Sequence, residues 1–303
     1  MITTEKKSKL IKTSSGKKSP IKMIDLFAGI GGFHIAFHKV GVECVFASEW
    51  DKEARKTYQE NFKKISPNMF DSHFIGDINS ITNIEKEVPD FDILTGGFPC
   101  QPFSNAGFKK GFNDTRGTLF FNIAEIIRIK KPRAFFIENV RGLLNHDNGK
   151  TFEVIKKTIE KDLGYSFHYK IVKASDYGLP QLRPRLFMVG FRDKNIEFKF
   201  PDPVPLKKTM SDVWEEKCSR DIGFTLRCGG RGSHIKDRRN WDSYMVGGKV
   251  KRLTPKEGKR MQGFPDNFVL PVSETQAMKQ LGNSVAVDAI QAVARQIVKA
   301  LED

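Results

Sequence analysis

Cysteine is scarce in this chain: four among 303 residues, Cys44, Cys100, Cys218 and Cys228, with no Cys-x-x-Cys spacing. That argues against a disulfide framework and against a zinc site, and it points to a reducing compartment. Long apolar runs are missing as well. None approaches the roughly 20 residues that a membrane span needs, and no apolar signal-peptide core stands near the N-terminus, so neither a membrane nor a secretory route is expected. No internal repeat occurs. Acidic residues are in deficit, 36 against 51 lysines and arginines, for a net charge of +15. Such an excess suits a polyanionic partner, most often nucleic acid. Part of it lies in residues 1–20, where six lysines stand against Glu5 among Ser, Thr and Gly; this basic tail is expected to be disordered.

What is present is ample for a core, 39% hydrophobic residues, arranged from Ile21 onwards as alternating strands and helices. The apolar patterns predict strands over 22–27, 42–48, 73–77, 90–95, 133–140, 167–173 and 185–192. Helices are expected over 33–40, from the cap Asp51 through Asn61, over 118–131 and over 151–163. Strands separated by helices of this length indicate an α/β fold, a doubly wound, mostly parallel sheet. Ligands bind beyond the carboxyl ends of such strands, where the chain places Gly29 to Gly32, Glu49, Asp77, Cys100 and Glu138. After Arg192 the texture changes to prolines, glycines and arginines, which reads as a smaller, loop-rich binding module. The helical pattern resumes from Ser273, with Val285, Ala289, Val293, Ile297 and Leu301 on one face. The expected division is therefore a tail over 1–20, a catalytic and cofactor-binding domain over 21–192, a small module over 193–272, and a segment over 273–303 that returns to the first domain.

Two sites stand out in the first domain. Gly29-Ile-Gly-Gly32 follows the first strand and opens a helix, so a ligand can approach the backbone there and an anionic group is favoured. Glu49 at the end of strand two is placed to hold ribose hydroxyls. Asp77 at the end of strand three could accept from an adenine amino group. Together they describe an adenosine pocket. The second site is Cys100, at the mouth of a strand that ends in Gly96-Gly97, with Pro99 and Pro102 restricting the backbone around it. A thiol there can meet a ligand, whereas Cys44, in mid-strand among aliphatics, reads as packing.

These residues fall within a series of motifs: Asp25-Leu-Phe-Ala-Gly-Ile-Gly-Gly-Phe33, Gly96-Gly-Phe-Pro-Cys-Gln-Pro-Phe-Ser104, Glu138-Asn-Val140, Gln181-Leu-Arg-Pro-Arg185, Arg252-Leu-Thr-Pro255, Gln262-Gly-Phe-Pro265 and Gly282-Asn-Ser-Val285. In this order, the chain resembles the cytosine-5 DNA methyltransferases of the bacterial modification type, from Ile21 to the C-terminus apart from roughly 193–251. The resemblance implies the S-adenosylmethionine-dependent methyltransferase fold with a target-recognition domain, and S-adenosyl-L-methionine as cofactor. The cofactor residues would be Phe27, Gly29, Gly31, Gly32, Phe33, Glu49, Trp50, Asp77, Ile78, Pro99, Asn283, Ser284 and Val285, with Trp50 packed on the adenine. It implies Cys100 as the nucleophile and Glu138 at a ring nitrogen of the target cytosine. Arg185 would meet the cytosine carbonyl, with Arg183 nearby; two apart in an extended segment, the arginines would share a face. The target base must leave the duplex to react.

The expected partner is double-stranded DNA with a short specific site, contacted through Gln101, Ser104, Thr225, Arg227, Arg231, Arg238 and Arg239. Thr225-Leu226 would frame the recognition loop, and the basic loop from Ser104 to Arg116 would close over the DNA. A cytoplasmic, bacterial monomer is expected, with a cognate restriction endonuclease as a functional and not necessarily physical partner. Two other readings use the same motifs: the tRNA methyltransferase branch, whose Cys-Phe-Thr tripeptide is absent here, and a catalytically inactive DNA-binding relative, against which Cys100 and Glu138 argue.

Overall fold

The structure, a computed structural model, describes residues 20–99 and 119–303. The tail through residue 19, together with Cys100, Gln101, Ser104 and the loop over 104–116, lies outside the described residues. Strands β1 (Lys22–Leu26), β2 (Glu43–Ser48), β3 (Phe74–Ile75), β4 (Ile93–Gly97), β5 (Ala134–Val140), β6 (His168–Val172) and β7 (Arg185–Phe191) form one sheet in the order β3-β2-β1-β4-β5-β7-β6. The first five strands of that order run parallel, and β7 is antiparallel to both β5 and β6. Between and after them lie helices α1 (Gly32–His38), α2 (Lys52–Phe62), α3 (Pro67–Ser72), α4 (Ile84–Glu87), α5 (Leu119–Lys130), α6 (Lys150–Lys157), α7 (Met210–Trp214), α8 (Pro255–Gln262), α9 (Glu274–Asn283) and α10 (Val287–Glu302). No helix among the described residues is long and apolar enough to cross a membrane.

The central strands are largely apolar because both faces are covered; Asp25 of β1, fully buried, accepts from the Thr95 hydroxyl of β4 at 3.2 Å. Side-chain parity sorts them into two cores. Met23, Phe136, Phe187 and Val189 point to one face, with Phe33 and Phe37 of α1 and Val293 and Ile297 of α10. Ile24, Leu26, Phe135, Ile137, Leu186 and Met188 point to the other, with Ile123 and Ile127 of α5 and Ile155 of α6.

The element pattern holds, with local differences. The third strand shrinks to two residues because the Asp77 carboxylate accepts from the Asn79 amide and starts a tight turn over Ile78–Ser80. The helix expected over 151–163 begins one residue earlier and widens into a π turn over Thr158–Asp162. The last helix starts at Val287; Val285 precedes it but is still buried. The stretch after Arg192 contains a hairpin that its loop-like composition did not suggest. Strands β8 (Ser243–Val246) and β9 (Lys249–Arg252) pair antiparallel through Gly247 and Gly248, both at positive φ, as a two-residue hairpin turn requires. Trp241 and Tyr244 of this module are 1% exposed and belong to the same core as Phe136, so the packing is continuous from the module to the sheet.

One small residue permits a close approach within the sheet. Gly190 of β7 lies opposite Phe135 of β5, and a Cβ there would meet the Phe135 ring at 2.3 Å and the Ser166 carbonyl oxygen at 2.5 Å. Gly190→Ala is expected to destabilise the protein by about 1–3 kcal/mol, the usual cost of overpacking. Urea unfolding should show it as a lower midpoint at unchanged slope.

Candidate active site

The strand order reverses at β1, which pairs with β2 on one side and β4 on the other. A crevice opens at the carboxyl ends of such a pair. The chain turns sharply there: Phe27, Gly29 and Gly31 all have positive φ before α1 begins. Glu49, just past β2, ties the turn down. Its Oε2 accepts from the Gly29 amide at 2.7 Å and its Oε1 from the Asp51 amide at 2.8 Å. Asp51 in turn caps α2, its Oδ1 accepting from the Glu53 and Ala54 amides. Burial pushes the Glu49 carboxyl above its ordinary pKa, against the pull of the Asp51 and Gly29 amides. Gly32 lets a distant segment lie on the turn, since a Cβ there would be 2.5 Å from Val285 Cγ2 and 3.1 Å from Ser284 Oγ.

A cleft of about 420 Å³ occupies the crevice. Of the residues expected at a cofactor, Phe27, Gly29, Glu49, Trp50, Pro99 and Asn283 line it. Trp50 is 75% exposed, an open ring on the cleft wall. Gly31, Gly32, Phe33, Ser284 and Val285 are not among the lining residues; they form the support behind it. Phe33 is buried and meets Phe136 edge-on, centroids 5.2 Å apart, so it fixes the turn from the core side. Asp77 and Ile78 also stand outside the lining. Asp77 Oδ1 is engaged by both nitrogens of Asn79 at 2.9 Å, and Ile78 is buried in the second core. Gln280 Nε2 and Ser284 Oγ are buried without a hydrogen-bond partner, and Gln280 lines the cleft. Lys279, which no motif singled out, lines it as well and bonds Asp51 across it at 3.3 Å.

The same cleft is lined by Glu138 at the end of β5 and Arg185 at the start of β7. Antiparallel pairing brings them together, with Arg185 opposite Val140. Arg185 Nε is 3.0 Å from Glu138 Oε1. Glu138 is 8% exposed. Burial raises its pKa above the ordinary carboxylate value, opposed by the charges of Arg185 and then Arg183. A carboxyl so placed can keep its proton and donate it. Asn139, next in the chain, donates to the Phe98 carbonyl at 2.8 Å and so fixes the backbone that leads to Pro99.

Arg183 also lines the cleft, beside Arg185, but it is held differently. Its φ is +29°, and Pro184 follows, so the segment is not extended as the spacing suggested, and the two guanidiniums take different partners. Arg183 is 2% exposed. Its Nη1 donates to the Leu226 carbonyl at 3.2 Å, and its Nη2 donates to the carbonyls of Gly282, at 3.0 Å, and Ser284. Burial and then the neighbouring Arg185 work against its charge, while Glu138 favours it.

The residues expected to read DNA separate in the same way. Arg231 is committed within the protein: Nε lies 3.6 Å from the fully buried carboxylate of Asp242, Nη1 3.2 Å from Glu274, and Nη2 donates to the Leu253 carbonyl at 2.7 Å. The nearby buried acid and the N-terminus of α9 claim it, which the arginine-glycine composition could not show. Arg239 pairs with Asp237 two residues away, at 2.8 Å. The Thr225 hydroxyl accepts from the Arg183 amide at 3.1 Å. Arg227 and Arg238 are exposed. Among the described residues, no group of three or more His, Cys, Asp or Glu could hold a metal ion.

A family model described as C-5 cytosine-specific DNA methylase matches residues 21–227 and 220–299. The type II methyltransferase M.SsoII of Shigella sonnei is 43% identical over 93% of this chain and 81% of its own length. M.HhaI of Haemophilus parahaemolyticus is 39% identical over 96% of this chain and 98% of its own. Among solved structures, a Dnmt2 methyltransferase from S. pombe superposes with a TM-score of 0.72 at 20% identity, covering 93% of this chain and all of its own. A methyltransferase from Entamoeba histolytica gives 0.70 at 18% identity, covering 94% of this chain and all of its own. These two likenesses are of fold.

Arg231 should behave as a structural ion-pair partner. Arg231→Ala leaves Asp242 buried and unpaired, which costs several kcal/mol when no group replaces the charge. The expected result is a lower melting temperature and equal weakening on all DNA sequences. A relaxed sequence preference at unchanged stability would instead make Arg231 a base reader.

Proposed function

The chain belongs to the C-5 cytosine-specific DNA methylases, and on that footing we propose that it transfers a methyl group from S-adenosyl-L-methionine to carbon 5 of a flipped-out cytosine in a specific duplex site, through covalent attack by Cys100. The observation that carries this reading is one cleft lined both by Glu49 and Trp50 and by Glu138 and Arg185, with Pro99, the residue before Cys100, on its wall.

The residues fit the cofactor. The Glu49 carboxylate, steadied by two amides, keeps lone pairs for ribose hydroxyls. Trp50 offers its exposed ring for the adenine, and the unsatisfied Gln280 amide on the cleft supplies a polar partner. Bound there, S-adenosyl-L-methionine supplies a methyl group on a sulfonium whose sulfur leaves with the bonding pair. Carbon 5 of cytosine attacks such a methyl poorly. Addition of the Cys100 thiolate to carbon 6 makes the ring enamine-like and directs its electrons to carbon 5. Negative charge then builds on ring nitrogen 3, where protonated Glu138 donates. Arg185, held by Glu138, stands ready for the cytosine carbonyl oxygen. After methylation a base removes the carbon 5 proton, the double bond re-forms, and the thiolate is expelled.

Sequence choice belongs to residues 193–251, with the exposed Arg227 and Arg238 the foremost candidates for contacts to base edges or phosphates. The type II methyltransferase relatives support a role opposite a restriction endonuclease of the same specificity.

With tritiated cofactor and host DNA, the full chain should place label on carbon 5 of cytosine. A 5-fluorocytosine duplex should trap a covalent adduct at Cys100. Cys100→Ser should lose at least about two orders of magnitude in rate, since a hydroxyl is a far weaker nucleophile; near-normal turnover, or an adduct at another residue, refutes the covalent reading.

Glu138 has a pH signature. Its active form is the protonated one, and burial keeps that form to higher pH than in a free glutamate. The single-turnover rate should therefore fall as pH rises through this raised value. Glu138→Gln should be slower by about 10²-fold or more and should lack that alkaline limb, with DNA affinity little changed.

A further inference from the structure

The three carbonyls that Arg183 holds belong to two segments with different work. Leu226 lies in the recognition segment, between Thr225 and Arg227. Gly282 and Ser284 flank Asn283 on the cleft. One planar guanidinium therefore bridges both, buried and rigid in its fork. The Arg183 amide adds a second bond to the recognition side, through Thr225 Oγ1.

Two further contacts join the same segments. Gly282 has no room for a side chain: a Cβ would lie 2.3 Å from the Arg227 carbonyl carbon and 2.5 Å from the Cys228 amide. The two backbones touch at this point. Beneath them runs a chain of buried amides. Gln181 Oε1 accepts from the Leu226 amide at 2.9 Å, and its Nε2 donates to Gln262 Oε1 at 3.1 Å. Gln262 Nε2 donates to the Leu281 carbonyl at 2.6 Å. Gln181 and Gln262 are fully buried, so none of these three bonds can be exchanged for water.

We propose that Arg183 is a positioning residue that couples target reading to cofactor binding. A DNA contact that shifts the segment at Leu226 must either break a buried hydrogen bond to a charged donor or move the Gly282–Ser284 carbonyls with it. The second course is favoured, because the stranded carbonyl and guanidinium would find no water. Specific DNA thus reshapes the cleft wall at Asn283, and an occupied cleft holds the recognition segment in its reading position. This rests on the cofactor and DNA roles proposed above.

Linkage makes the idea measurable, since each ligand must change the other's affinity by one common factor. The cofactor-side probe is S-adenosylhomocysteine, titrated by calorimetry into the full chain. The DNA-side probe is a duplex carrying the site that bisulfite sequencing of DNA from an expressing host identifies, with a scrambled duplex as control. In the wild type the factor should be about fivefold or more, within the usual range for coupled sites, and seen only with the specific duplex. Arg183→Lys keeps the charge and loses the fork; its factor should fall to within twofold of one. Gly282→Ala, which forces the two backbones apart while keeping the Arg183 side chain, should also lower it. A merely structural Arg183 would weaken both ligands and leave their ratio unchanged. An unchanged factor in Arg183→Lys, or in Gly282→Ala should Arg183→Lys not fold, overturns the proposal, as does a factor of one in the wild type. Failure of the wild type to bind S-adenosylhomocysteine at all would instead refute the cofactor reading.

Discussion

The crevice depends on the position of β1, flanked by β2 on one side and by β4 on the other. Chain leaving β1 and chain leaving β4 must part to opposite faces of the sheet, and the gap between them cannot be filled by either. Several of the groups that line that gap reach it from strand ends. The glycine turn follows β1, Glu49 follows β2, Pro99 follows β4 and Glu138 ends β5. The one antiparallel strand next to β5 brings its beginning to the same edge, which is how Arg185 meets Glu138.

Desolvation then sets the character of the site. Glu49 and Glu138 both have raised pKa values with burial as the leading cause, but their neighbours differ. Two amides hold Glu49 as an acceptor. Arg185 holds Glu138 in place while burial favours its proton, so the same residue type meets two different environments in one cleft. Arg183 shows a third outcome. A buried cation is met by three carbonyls, and in satisfying it the protein ties the segment at Leu226 to the one at Gly282–Ser284.

Much of the catalytic half was legible in the chain. The strands, the glycine turn, the acid following β2 and the acid ending β5 follow from local patterns, apolar runs broken at glycine and polar residues at the breaks. The functions of the arginines were not legible. Arg183 and Arg185 look alike two residues apart, yet a positive φ sends one to backbone carbonyls and leaves the other on Glu138. Arg231 sits in a run that reads as a DNA-binding loop, yet Asp242, eleven residues on, and Glu274, forty-three residues on, take it. Lys279 and Asp51, two hundred and twenty-eight positions apart, meet across the cleft with no sequence signal at all.

The sequence by itself determined the strands of the large sheet, their order along the chain and the acids and glycines at strand ends, because each is set by backbone geometry over a few neighbouring residues. Only the tertiary structure decided which charged groups stay available to a ligand and which are used up inside. A side chain's partner is set by what folding brings within about 3 Å, and for long, flexible arginines and lysines that neighbour can come from anywhere in the chain.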